Sequence, residues 1–136
     1  MMRAGILILI LATFLLANCA GIQADGSTQQ CPTVKIELFF GLSIPEGGTV
    51  TEADWKDFTA STITPRFPDG LTVYDASGQW RNSDGSLSRE GTKIVVLITD
   101  NSKEKFLLTD EIREAYKKQF HQESVLLVNS CVSARF

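Results

Sequence analysis

From Thr33 to Ile44, "TVKIELFFGLSI", the chain alternates. Val34, Ile36, Leu38, Phe40, Leu42 and Ile44 fall on one side, and Lys35, Glu37, Phe39, Gly41 and Ser43 on the other. A period of two in β-branched and aromatic residues predicts a strand with one wholly apolar face. "PEGGTV" ends it, and Thr51-Glu52-Ala53-Asp54 opens a helix. The Thr51 hydroxyl can accept from the free N–H groups of the first turn, where Glu52 and Asp54 suit the positive end of the dipole. Val50 and Trp55 have the spacing of a hydrophobic staple. Trp55, Phe58 and Thr62 share a face, and Pro65 limits the helix to roughly Glu52–Thr62.

The stretch "FPDGLTVYDASGQW", residues 67–80, begins with a Pro68-Asp69-Gly70 turn. Leu71, Val73 and Asp75 then alternate with Thr72 and Tyr74 as a second strand. Asp75-Ala76 or Ser77-Gly78 marks a turn or bulge, beyond which "QWRN" resumes the strand. Ser83-Asp84-Gly85 is a further turn, and Ser86–Glu90 a weak strand or loop. Lys93–Thr99, "KIVVLIT", is apolar at every position from Ile94 to Ile98, the pattern of a central strand covered on both faces. Thr109–His121 reads as the clearest helix. Thr109 caps it, Asp110 and Glu111 fill its first turn, and Lys117, Lys118 and His121 favour its C-terminal end. Its apolar stripe is Ile112, Ala115, Tyr116 and Phe120, extended by Leu108. Ser124–Val132 is a last strand. The order βαββαβ is that of an α+β, ferredoxin-like fold: an antiparallel sheet, two helices on one face, and an extended hairpin between the middle strands.

The N-terminus belongs to targeting. A basic start, Met1-Met2-Arg3, precedes the apolar run Gly5–Leu16, which is too short to span a bilayer comfortably and reads as a secretory signal; a single-pass anchor is the alternative. Leu16-Ala17-Asn18-Cys19 resembles a bacterial lipobox, with Asn18 where a small residue is usual; cleavage near Ile22-Gln23-Ala24 is the other route. Residues 1–18 are then the lipoprotein-type signal peptide, 19–30 ("GIQADGSTQQ" and its lead-in) a flexible tether, and 31–136 a single domain. A lipid on Cys19 would hold the domain on a membrane, and Ala20 after it resembles an outer-membrane destination on the periplasmic face. Removing the leader leaves 118 of the 136 residues, with 12 basic and 16 acidic side chains and a net charge of −4. Such a chain has neither a footprint for nucleic acid nor a polybasic patch for anionic lipid. Cys31 and Cys131 remain. In the βαββαβ fold the first strand starts where the last one ends, so these two residues meet, and an exported chain should bridge them.

"ELFFGLSIP", "TPRFPDGLTVYDASGQWR" and "FHQESVLLV" resemble DUF3574, a small exported bacterial family of unknown function. The resemblance covers nearly all of Cys31–Phe136. It departs at His121, where a small residue such as Gly is expected. It implies an exported single domain and brings no reaction, ligand or catalytic residue.

Candidate chemistry is sparse. His121 is the only histidine, which excludes a Ser-His-Asp triad elsewhere; at a helix end it reads as a dipole-satisfying or exposed residue. No CxxC or HxxxH spacing points to zinc, and no cofactor is implied. "GGTVTEAD" reads as a turn and a cap. The remaining candidates for a partner or ligand surface are Arg66, Asp75, Trp80, Arg81, Arg89 and Glu90, a mixture of charge and aromatic near strand ends; the competing reading is that Asp75 and Ser77 bond their own turn while Trp80 covers the core. The uncovered sheet face is the other candidate, with Phe39, Tyr74, Val95 and Leu97 placed on it according to register. Residues 76–92 could instead fold over it. Two functions follow: an envelope-anchored, non-catalytic interaction module that binds a partner, or a small-molecule binder or enzyme with a cavity on that face, formed within one chain or by a homodimer. An apolar cavity containing Arg81 or Glu90 would favour the second.

Overall fold

The sheet is built on Thr33–Gly41 (β1), whose even-numbered residues Val34, Ile36, Leu38 and Phe40 are all buried under the helices. The computed structural model describes residues 31–45, 47–81 and 83–135, with Trp80 described by its backbone alone. The signal segment, Cys19 and the tether lie outside the described residues. After β1 come α1 (Glu52–Phe58), β2 (Thr72–Arg81), β3 (Leu87–Asp100), α2 (Lys103–Phe120) and β4 (Leu126–Cys131). The four strands run in the order β2-β3-β1-β4, every neighbouring pair antiparallel. This is the ferredoxin-like arrangement expected from the chain order.

Local chemistry fixes the helix starts. Thr51 caps α1 through its side chain to the Asp54 N–H, while Asp54 accepts from the Thr51 N–H, a reciprocal capping box. Val50 and Trp55, the expected staple, are both buried. The helix then widens into a π-helical turn over Thr59–Ile63. In α2 the cap is Ser102, not Thr109, so the helix begins seven residues earlier than the pattern suggested. Thr109 is instead fully buried within it and donates its hydroxyl proton to the Phe106 carbonyl, 2.7 Å away. Phe40, Trp55, Phe58, Tyr116 and Phe120 form the aromatic centre of the core; Tyr116 lies 4.7 Å from Phe40 and 5.1 Å from Phe58 between ring centroids.

Two further expectations are corrected, on the course of β2 and the facing of β3, while the extended hairpin between the middle strands is found as expected. β2 passes through Ala76-Ser77-Gly78 without a turn, and each of these residues pairs in register with β3. The five outermost pairs, Ser77↔Gly91 to Arg81↔Leu87, lie beyond the last pair of β1 with β3, so the hairpin extends the sheet as a two-stranded ribbon instead of folding over it. In β3 the core-facing residues are Val95 and Leu97, both fully buried, so the open face carries Ile94, Val96 and Ile98 instead. Cys31 and Cys131 are bridged beside the paired ends of β1 and β4, with Cα atoms 5.6 Å apart.

Candidate functional site

β1 ends at Gly41, and what lies above Gly41 defines the principal cleft. A Cβ at this position would sit 2.8 Å from both carboxylate oxygens of Glu90, closer than real contacts allow. The Glu90 side chain therefore lies across the β1 backbone in space that only glycine leaves open. Its cross-strand partner is Gly78, which keeps the other side low. One Glu90 oxygen accepts from the Ser43 N–H at 3.3 Å; the other meets no donor among the described residues.

The floor and the lip are both tied to the core. The Tyr116 hydroxyl donates to the Gly41 carbonyl at 2.8 Å, from the opposite side of the sheet. Burial pushes the Tyr116 phenol well above the usual tyrosine range, and the negative charge of Glu90 adds to the shift. Gln122, just past the end of α2, donates to the Ser43 carbonyl at 2.6 Å and holds the β1–α1 loop. His121 precedes it at the helix C-cap with φ 53°. That left-handed backbone favours glycine, which gives a physical reason for the small residue expected there. Between these supports lies a cleft of about 590 Å³, with Phe39, Leu126, Ile44 and Pro45 as apolar lining and Glu90, Glu123, Thr92, Ser124 and Gln122 as polar lining. Glu90 and Glu123 are its ionisable groups among the described residues. A neighbouring hollow of about 530 Å³ behind Ile44 and Pro45 shares Glu123 and holds His121.

On the helix side a second constellation appears. Lys93 has a side chain only 7% exposed, with its ammonium 2.8 Å from Glu52 of α1 and 2.5 Å from Asp75 of β2. Hydrogen bonding to Asp75, and then to Glu52, raises its pKa above the ordinary lysine value. A protonated, doubly paired lysine is an electrostatic tie between helix and sheet, not a nucleophile. A hollow of about 350 Å³ beside it is lined in part by Thr59, at the start of the π-helical turn.

The six residues singled out by sequence are spread over the molecule. Glu90 is in the cleft and Asp75 belongs to the Lys93 tie. Arg66 donates to Glu111 of α2 at 3.0 Å and to the Thr62 carbonyl at 2.8 Å. Arg89 donates to Gln79 across the ribbon at 2.7 Å, and Arg81 to the Gly85 carbonyl at the turn. Strand parity puts both arginines on the side of the ribbon opposite Glu90. The Trp80 backbone pairs with Ser88; its side chain lies outside what is described. Lys93, Gln122 and Glu123 were not singled out. The signal for Lys93 was present: within "KIVVLIT" it is the one charge, and it is in phase with Val95 and Leu97.

The model of a family described as a protein of unknown function, DUF3574, matches residues 35–136. The chain belongs to this family. No curated protein sequence matches this DUF3574 member. Solved structures do. A phage SAM lyase in complex with S-methyl-5'-thioadenosine superposes with a TM-score of 0.57 at 22% identity, over 73% of this chain and 81% of that one. A phage SAM lyase in its apo state gives 0.52 at 22% identity, over 71% and 78%. CutA from Synechococcus elongatus PCC7942 gives 0.49 at 10% identity, over 75% and 78%. At these identities the likeness is one of fold.

Proposed function

We propose that this DUF3574 protein is an exported lipoprotein, anchored through Cys19 on the periplasmic face of the envelope, whose domain binds a small molecule in the Glu90 cleft. One observation carries the reading: the Glu90 carboxylate is seated over Gly41, with one oxygen meeting no donor among the described residues, at the end of a cleft with an apolar wall. A preformed concave site with few convergent polar groups is the usual form of a ligand pocket. The carboxylate is an acceptor for a cationic or strongly donating group, and Phe39 and Leu126 suit an apolar body beside it. The role we propose is binding, with Glu90 and Glu123 as the charged groups of the cleft.

The test is native mass spectrometry of the protein purified from a periplasmic or envelope fraction, beside Glu90→Gln. An unexplained small mass on the wild type that is lost or sharply reduced in the variant supports the reading. A wild type that carries no added mass, and a variant that behaves identically in thermal-shift screens of amines and other cations, would refute it. A protein-interaction role is the second reading, and the ribbon favours it: five strand pairs project past the core and expose Leu87 and both arginines. Crosslinking in the intact envelope would recover such a partner attached to the ribbon.

A further inference from the structure

The side of the sheet away from the helices carries an apolar band in register. Tyr74, Ile94, Phe39 and Leu126 stand side by side across all four strands, and in the next row Val96 and Val128 flank Glu37. Tyr74 is 56% exposed and Leu126 57%, and nothing in the described chain covers them. A sheet with helices on one face ordinarily shows polar side chains on the other. A contiguous apolar face of this kind marks an interaction site.

We propose that this face docks a second copy of the same chain, and that the second copy roofs the Glu90 cleft. Three observations select that occupant. First, the apolar band itself carries no unpaired charge: Glu37 is paired with Lys35 at 3.0 Å, and the carboxylates of Glu90 and Glu123 lie at its margin, in the cleft. An apolar band with balanced charge is complementary to itself, as an isologous contact requires. Second, the band is the face of a sheet. Extended peptides join a sheet at its edge, whereas faces pack on other faces. Third, the ribbon beyond β1 continues the same surface past the core. A lone two-stranded ribbon is marginal in water, and a copy docked on the face gives it something to rest on. Phe39 and Leu126 belong to both the band and the cleft, so a copy seated on one overhangs the other.

The roofing of the cleft rests on the ligand-binding reading; the self-association does not. The experiment is crosslinking of the full chain in intact envelopes, followed by native mass spectrometry of the extracted protein. It uses wild type, Val128→Glu, Tyr74→Lys and Glu90→Gln. Val128 and Tyr74 lie on opposite edge strands and are partly exposed, so one variant remains informative if the other fails to fold. The wild type is expected as a homo-oligomer. Each face variant should weaken association by about a hundredfold or more, because an unpaired charge desolvated in an apolar contact is strongly disfavoured, and should lose any bound ligand with it. Glu90→Gln should remain associated. A monomeric wild type, association unchanged in both face variants, or face crosslinks only to another protein would overturn the proposal. A monomeric face variant that keeps its ligand would overturn the roofing. Ligand retained in an associated Glu90→Gln protein would instead defeat the cleft reading and leave the self-association standing.

Discussion

Gly41→Ala separates the stability of the fold from the working of the cleft. The backbone at Gly41 is not left-handed, so alanine fits the local conformation. The difficulty is the added Cβ, which would meet both Glu90 carboxylate oxygens at 2.8 Å. Those atoms end a flexible side chain, so the carboxylate swings away and the backbone stays. Two modest terms then oppose each other. Alanine restricts the unfolded chain and favours folding by about 0.4–1 kcal/mol. The exposed, long bond from the Ser43 N–H is lost, at a cost of about 0.5–1.5 kcal/mol. The net change should be within about 1 kcal/mol in either direction, read by urea unfolding of the two proteins side by side. Ligand retention should respond differently. A ligand group bonded to the seated carboxylate loses a charge-assisted hydrogen bond of about 1.5–3 kcal/mol, which is about tenfold to somewhat over a hundredfold in affinity. Destabilisation beyond about 3 kcal/mol would mean that Glu90 cannot move aside. Unchanged stability with unchanged ligand retention would mean that the seat over Gly41 does not anchor anything.

Other consequences follow from the core and the ionisable groups. Phe40→Ala removes a fully buried ring at the centre of the aromatic cluster and should cost about 3–5 kcal/mol in a denaturant titration; a loss below 1 kcal/mol would contradict the packing. Tyr116 and Lys93 both have raised pKa values, so each keeps its protonated form more readily when folded. Their contribution is therefore complete below about pH 10, near the unfolded values, and is lost as pH rises above it. Urea midpoints across the alkaline range should fall more steeply in the wild type than in Tyr116→Phe, and identical slopes would exclude the phenol as a contributor. The Cys31–Cys131 bridge spans 100 residues of sequence. Its reduction should lower stability by up to about 4.7 kcal/mol in the chain-entropy picture, and two free thiols from these positions in denatured, unreduced protein would rule it out.

Much of this architecture is legible in the order of residues, because the signals are local. Period two in β1, the capping residues of α1 and the stripe Ile112-Tyr116-Phe120 each follow from geometry within a few residues. The βαββαβ order then leaves few topologies, and it brings Cys31 to Cys131. The misread positions share a different cause. "SKEKF" starts α2 with little apolar periodicity, so Thr109 looked like the cap. Ala76-Ser77-Gly78 resembles a turn by itself, yet β3 supplies its hydrogen-bond partners and keeps it extended.

What only the tertiary structure decided is facing. A run apolar from Ile94 to Ile98 has no parity of its own; burial of Val95 and Leu97 against the helices sets it, and thereby leaves Ile94 and Val96 on the open side. The same parity takes Lys93 into its tie with Glu52 and Asp75, and places Glu90 over Gly41 while sending Arg81 and Arg89 to the far side of the ribbon. Of six residues that looked like one surface, a single carboxylate reaches the cleft. The sequence determined which segments are strands and helices, because that choice rests on neighbours along the chain. Which side chains share a site rests on strand register, and register is fixed only when the apolar faces find one another.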